Sequence, residues 1–203
     1  MTVLVALVYG CAAYLVVQLS AFVCKDIAAF DDGPRPGRPP SVALVAGAAV
    51  CGAALAYRGA GYPALALAAL LVLSLVACWY SDVRCGILPD IFTLVPLGIV
   101  LAIALWSRNP APFFAAAVVV IPIGGTALLS KGRGMGWGDV KLMALGAAVL
   151  PLGSVLLAFS AACIVAVVAA ALRRRRYEPI AFAPYLSGAL ALVLAFAVPV
   201  VSL

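Results

Sequence analysis

The sequence predicts an all-α polytopic integral membrane protein, built as a bundle of about eight hydrophobic helices. Of its 203 residues, 67% are hydrophobic and only 10% are charged, and the mean hydropathy is +1.23. These values lie far outside those of soluble globular domains. The apolar runs are also continuous rather than alternating with polar residues, which favours membrane helices over a transmembrane barrel.

Eight apolar runs define the predicted helices. In chain order they cover residues 3–23, 41–57, 63–80, 91–106, 112–129, 139–150, 154–172 and 180–202. Several approach the length of about 20 residues that crosses a bilayer, but the run at 139–150 is too short to cross without its polar flanks. The first run lacks a preceding basic segment and a convincing cleavage site, so we interpret it as a retained helix rather than a signal peptide.

We predict a single transmembrane domain over residues 1–203. Its first part, 1–62, contains the N-terminal helices joined by a short loop at 24–40, and its second part, 63–203, carries two short acidic motifs. The stretch DDGPRPGRPP within the 24–40 loop is rich in proline, glycine and charge, which is typical of an irregular connector.

The distribution of positive charge predicts the orientation of the helices. If the amino terminus lies outside, four connections lie in the cytoplasm: residues 24–40, 81–90, 130–138 and 173–179. Eleven of the 13 lysines and arginines then fall on the cytoplasmic side or at its edge, and only Arg58 and Arg108 fall outside. The positive-inside rule favours this topology, which accounts for the net charge of +6 without a nucleic-acid partner. We interpret the run Arg173–Arg176 as an anchor that contacts lipid headgroups of the bilayer.

All seven acidic residues fall on this predicted cytoplasmic side. For four of them, the greater length of the cytoplasmic loops is a sufficient explanation: Asp26, Asp31, Asp32 and Glu178. Asp82 and Asp139 differ, because each lies where a long apolar run meets a short polar loop. Both are therefore predicted at the cytoplasmic edge of the membrane, on different helices, where their side chains can converge.

A converging pair of aspartates has a specific chemical use. Two partly desolvated carboxylates do not easily ionise together, so one retains a proton while the other acts as a base. This division activates a water molecule and protonates a leaving amine. Because the chain has no histidine, and no serine or cysteine lies beside an evident base, this pair is the most economical hydrolytic arrangement. Two structural alternatives stay open, with Asp139 as a helix N-cap and Asp82 as an interfacial residue near Arg84.

Each of the two acids lies in a short sequence motif that resembles a motif of a known protein family. In SDVRCGILPD, an Asp followed by a Leu-Pro-Asp element is formed by Asp82, Leu88, Pro89 and Asp90. In GMGWGDVKLMALGA, a Gly-x-Gly-Asp-x-Lys-Leu element is formed by Gly136, Gly138, Asp139, Lys141 and Leu142. Together these motifs resemble the type IV prepilin peptidase family of GxGD membrane aspartyl proteases. A weaker match is IAFAPYLSGA, Ile180–Ala189, which has Ala181 where the family usually has proline.

The resemblance implies that Asp82 and Asp139 are the catalytic dyad of an aspartic endopeptidase. Its substrate would be a prepilin or pseudopilin, cut after the short basic leader that precedes the hydrophobic helix of that protein. The active site would face the cytoplasm at the inner membrane of a bacterium or archaeon. No cofactor is expected, and the oligomeric state is not predicted.

Five further motif residues are expected to bind substrate or to support the acids: Gly136, Gly138, Lys141, Pro89 and Asp90. These two glycines, with Gly132 and Gly134 before them, are expected to let the backbone approach a peptide closely, although a tight connector between helices is an alternative. Lys141 either contacts the substrate backbone, tunes an acid, or extends toward the membrane interface. Asp90 is expected to cap or orient the helix after Pro89.

The sequence also departs from the longer members of that family. Those members carry an insertion after the first helix with two zinc-binding Cys-x-x-Cys pairs, and they methylate the new amino terminus. The six cysteines here include no such pair, so we expect no metal site and no methyltransferase activity. Two other function classes stay as alternatives: a non-enzymatic transporter or pilus assembly component, and a presenilin-like intramembrane protease. The absence of acids inside the apolar runs disfavours the first, and the Lys-Leu continuation disfavours the second.

Overall fold

A computed structural model of the protein describes residues 1–28, 40–129, 136–172 and 181–196. The described chain consists of α-helices and one short 3₁₀ turn, and it contains no β-strand. The helices are α1 (Thr2–Ala28), α2 (Ser41–Tyr57), α3 (Tyr62–Cys85), α4 (Leu94–Trp106), α5 (Ala111–Leu129), α6 (Trp137–Val149), α7 (Leu152–Leu172) and α8 (Ala183–Phe196). Each predicted apolar run corresponds to one helix, and the all-α membrane bundle is confirmed.

The helices differ in length. Within the described ranges, four helices are long and apolar enough to cross a membrane, and they lie in α1, α3, α5 and α7. The other four are shorter, and α6, at 13 residues, corresponds to the run predicted to be too short. Longer and shorter helices alternate along the chain.

The fourth apolar run begins differently from the prediction. Residues 91–106 were expected to form one helix, but the structure has a 3₁₀ turn at Asp90–Phe92 followed by α4 from Leu94. Pro96 lies in the first turn of α4, where its missing N–H has no hydrogen bond to lose. If the helix began at residue 91, Pro96 would lie in its second turn and its ring would clash with the carbonyl of Phe92. The helix therefore begins at Leu94.

The centre of the bundle is α3, which packs against α1, α2, α4, α6 and α8. Its most apolar stretch is 67% buried within the protein, against 22% for the corresponding stretches of α1, α5 and α7. The outer helices therefore present apolar side chains to lipid, which is as apolar as the core. For this reason α3 is the helix on which a shielded polar site can be built.

The two ends of α3 are distinct. Near its first residues, the phenol of Tyr9 on α1 donates a hydrogen bond to the carbonyl of Leu65. At the same end, the guanidinium of Arg58 donates to the carbonyl of Ala195 over 3.1 Å. Asp82 lies in the last turn of this 24-residue helix, a full helix length away from Arg58.

Several predictions concern residues or side chains outside the described ones. They are the acidic residues Asp26, Asp31, Asp32 and Glu178, the cations Arg35, Arg38, Lys131, Arg133 and Arg173–Arg176, and the glycines Gly132 and Gly134.

Candidate active site

The end of α3 places Asp82. Gly86 adopts a left-handed conformation, with φ of 67°, and its backbone N–H donates to the carbonyl of Asp82 over 2.9 Å. Glycine is suited to this position because other residues are strained there. The helix therefore ends one turn after Asp82, whose side chain is only 6% exposed.

The start of α6 places Asp139. Gly136 is the N-cap residue in an extended conformation, and Asp139 is the third residue of the helix. Its backbone N–H donates to the carbonyl of Gly136 over 3.1 Å, and its side chain is 8% exposed. The N-cap alternative for Asp139 is thus not what the structure has, because Gly136 occupies that position without a side-chain cap.

The start of α8 completes the site. The backbone N–H of Ala183, the first residue of α8, donates to Oδ2 of Asp82 over 3.1 Å. The first N–H groups of a helix lack partners within the helix, so a carboxylate is a suitable acceptor. Asp82 is therefore held by two helix ends, its own and that of α8.

Asp82 and Asp139 converge in this region. Their helices, α3 and α6, pack against each other, and each carboxylate lies within electrostatic range of the other and of the Cys78 thiol. Across the described chain, no lysine or arginine forms an ion pair with either carboxylate. Oδ1 of Asp139 is buried and has no hydrogen-bond partner among the described residues. This buried oxygen can accept a hydrogen bond from a water molecule.

The supporting residues of the two motifs also meet. Lys141 forms an ion pair with Asp90, which joins α6 to the 3₁₀ turn. Pro89 is the N-cap residue of that turn. The Asp90 side chain therefore contacts Lys141 instead of capping α4, whose N-cap residue is Thr93. Gly138 lies directly against Leu88.

Three residues around the site make contacts that were not anticipated from the sequence. Ala183 lies in the weak third motif, which was noted without a role for its backbone. Cys78 lies one helical turn before Asp82, so helical periodicity alone could have placed it near that acid. Leu88 belongs to the first motif, but no pattern in the sequence indicates its contact with Gly138.

Potential metal ligands are sparse. The described residues contain no group of three or more cysteine, aspartate or glutamate side chains placed to hold a metal ion. The six cysteines are free thiols distributed over several helices.

Sequence comparison relates the chain to known proteins. The sequence profile of the type IV leader peptidase family matches residues 69–171. The chain belongs to this family. The matched region contains both acids of the site, Asp82 and Asp139, together with α3 from residue 69 onward and the whole of α6.

Individual relatives of this leader peptidase family member are also known. Two proteins named prepilin leader peptidase/N-methyltransferase, from Burkholderia pseudomallei strains 1026b and K96243, are each 35% identical to the chain over 187 residues. The alignment covers 82% of this chain and 57% of each relative, so the chain spans little more than half their length. No solved structure matches the chain significantly.

Proposed function

We propose that this protein is a membrane-embedded aspartic endopeptidase that removes the short basic leader of prepilins or pseudopilins. The observation that carries the proposal is the pairing of Asp82 and Asp139. Both carboxylates are buried, they come from different helices, and their charges interact. Membership of the type IV leader peptidase family supports the leader as the part of the substrate that is cut.

In the proposed reaction, one carboxylate takes a proton from a water molecule, whose oxygen attacks the carbonyl carbon of the scissile peptide bond. The second carboxyl group, protonated, donates to the carbonyl oxygen as the tetrahedral intermediate forms. The carboxyl group that took the proton from water then gives it to the leaving nitrogen as the C–N bond breaks, and the other carboxylate regains its proton from a hydroxyl of the intermediate. Because Oδ2 of Asp82 is engaged by Ala183, we assign Oδ1 of Asp139 to contact with the water.

The placement of the site supports a substrate that approaches from the membrane surface. The two acids lie at the end of α3 and the start of α6, not in the middle of a membrane span. A transporter would hold its ionisable groups near the midplane. When the hydrophobic helix of a prepilin lies in the bilayer, the leader that precedes it lies at the membrane surface. The two acids are proposed to lie at that same surface.

The test is to co-express the full chain with tagged prepilins and to follow leader removal by electrophoretic mobility. Asp82→Asn and Asp139→Asn are each expected to abolish processing. Asp32→Asn is the matched control, since Asp32 is an acid of the 24–40 loop that belongs to neither motif. Continued processing by both Asp82→Asn and Asp139→Asn would rule out the proposed dyad.

Two finer points of the proposal have separate tests. We expect the mature pilin to carry an unmethylated amino terminus, and mass spectrometry of the product checks this.

The active site is proposed to face the cytoplasm. In a cysteine-free background in spheroplasts, an impermeant maleimide should label Ser107→Cys at the opposite end of the bundle, and should label Ile87→Cys only after lysis.

A further inference from the structure

Leu88 and Gly138 are packed unusually closely. Leu88 lies in the loop after α3, and Gly138 lies in the first turn of α6. A Cβ atom added to Gly138 would lie 2.8 Å from Cβ of Leu88 and 3.2 Å from its Cγ. Carbon atoms in good contact are about 3.5–4.0 Å apart. An alanine at position 138 therefore does not fit unless the backbone moves.

Rotation of the Leu88 side chain does not relieve this contact. The nearest atom is Cβ of Leu88, whose position is fixed by the backbone rather than by the rotamer. The loop that carries it is held at both ends. Gly86 ends α3 in its left-handed conformation, and Asp90 forms the ion pair with Lys141. A side chain at position 138 would therefore push the whole loop away from α6.

The contact joins the surroundings of the two acids. Leu88 follows Asp82 in the first motif, and Gly138 immediately precedes Asp139 in the second. A displacement at Leu88 and Gly138 is therefore transmitted to the first turn of α6, where the Asp139 carboxylate is buried. No other described glycine on α6 lies against the loop after α3, because Gly146 contacts Leu190 and Val155 instead.

We propose that Leu88 is a positioning residue, and that its side chain fills the notch left by Gly138 and thereby sets the separation of Asp82 and Asp139. This inference rests on the proposed peptidase function. It gives the second glycine of the Gly-x-Gly-Asp motif a partner within the protein, because Leu88 lies in the first motif. The alternative is that Gly138 is needed for close approach of the substrate backbone. The two explanations differ in whether a change at Leu88 compensates for a change at Gly138.

The experiment measures kcat and KM of the purified full chain in detergent with a prepilin substrate. Gly138→Ala is expected to lower kcat about 100-fold, the order of loss that follows a misplacement of about 1 Å, with KM nearly unchanged. The double variant Gly138→Ala with Leu88→Gly should have a kcat at least about tenfold higher than that of Gly138→Ala alone. Gly98→Ala in α4, where an added Cβ meets no atom within 4 Å, is the matched control and should retain activity.

The outcomes separate this inference from the proposed function. If the wild type cleaves and Asp139→Asn does not, the function holds. The positioning role is then overturned by an active Gly138→Ala or by a folded double variant without recovery. If the double variant does not fold, a disulfide measurement decides, because it uses Gly138→Ala without a change at Leu88.

A second measurement does not depend on activity. In a Cys78→Ala background, Asp82→Cys and Asp139→Cys should form a disulfide with diamide in native membranes, and adding Gly138→Ala should slow this reaction at least about tenfold. An unchanged rate would contradict the positioning role, even if the wild type proves not to cleave prepilins and the proposed function itself fails.

Discussion

The backbone N–H of Ala183 and the carboxylate of Asp82 form a hydrogen bond of 3.1 Å between residues 101 positions apart in the chain. This bond connects the first residue of α8 to the last turn of α3, at the position where Asp139 also approaches. The acid is therefore both a candidate reactive group and a link between helices. Substitutions of Asp82 should separate these two roles.

Asp82→Asn and Asp82→Ala are expected to be equally inactive but unequally stable. The asparagine retains an oxygen that accepts the hydrogen bond from Ala183, whereas alanine leaves a buried N–H without its partner. The free energy of unfolding should fall by about 1–3 kcal/mol for alanine relative to asparagine. Thermal unfolding of the two purified variants in the same detergent checks this difference. Equal melting temperatures would show that the bond to Ala183 contributes no stability.

Cleavage should depend on pH with a bell-shaped profile. The reaction requires one proton on the Asp82–Asp139 pair. At low pH both carboxyl groups are protonated and no base remains, and at high pH both are ionised and no acid remains. The two apparent pKa values belong to the pair rather than to either residue. Initial rates with purified enzyme, compared with melting temperatures over the same range, test this. A flat profile from acidic to weakly alkaline pH, with the protein folded throughout, would contradict it.

Lys141 and Asp90 are expected to act as a pair with a small effect. The side chain of Lys141 is 29% exposed and that of Asp90 is 61% exposed. An ion pair exposed to this extent stabilises a structure by about 1 kcal/mol or less, which corresponds to roughly a fivefold change in an equilibrium or a rate. Lys141→Met, Asp90→Asn and the double variant should therefore each lose less than about fivefold in kcat/KM. The double variant should be no worse than the single ones. A much larger loss for Lys141→Met alone would indicate that the lysine contacts the substrate directly.

Gly52→Ala should destabilise the contact between α1 and α2. An added Cβ would lie 2.6 Å from Cγ of Tyr9, whose phenol is held by the carbonyl of Leu65. Overpacking of this kind costs about 1–3 kcal/mol. Gly47→Ala on the same helix is the control, because an added Cβ there meets no atom within 4 Å. Melting temperatures should fall for Gly52→Ala and stay unchanged or rise slightly for Gly47→Ala, and equal values would refute the steric explanation.

Much of the fold follows from composition alone. In a membrane, every buried backbone group must be bonded within its own segment, so continuous apolar runs have to become helices. The eight runs therefore predicted the eight helices of the described chain to within a few residues at most ends. Among the ends that the structure describes, the largest differences are at the ends of α1 and α3, which reach Ala28 and Cys85, five residues past the apolar runs that end at 23 and 80. The start of α4 is three residues later than predicted, because Pro96 rather than hydrophobicity determines that boundary.

The candidate site was predictable only in part. The sequence placed Asp82 and Asp139 at helix ends facing the same side, because each lies where an apolar run meets a polar loop. It did not determine that the N–H of Ala183 bonds to Asp82, or that Lys141 pairs with Asp90. Those contacts join residues that are far apart along the chain, and apolar patterning specifies which segments enter the membrane but not which of them are neighbours.

The glycines show the same division most clearly. From the sequence, Gly136 and Gly138 were equivalent, and both could serve a substrate or a tight connection. The tertiary structure distinguishes them, since Gly136 is the N-cap residue of α6 whereas Gly138 provides the space into which Leu88 packs. The sequence by itself determined a helical membrane protein with two acids at one surface. Only the packing of α3, α6 and α8 determined how those acids are held, because close contact depends on the distances between helices.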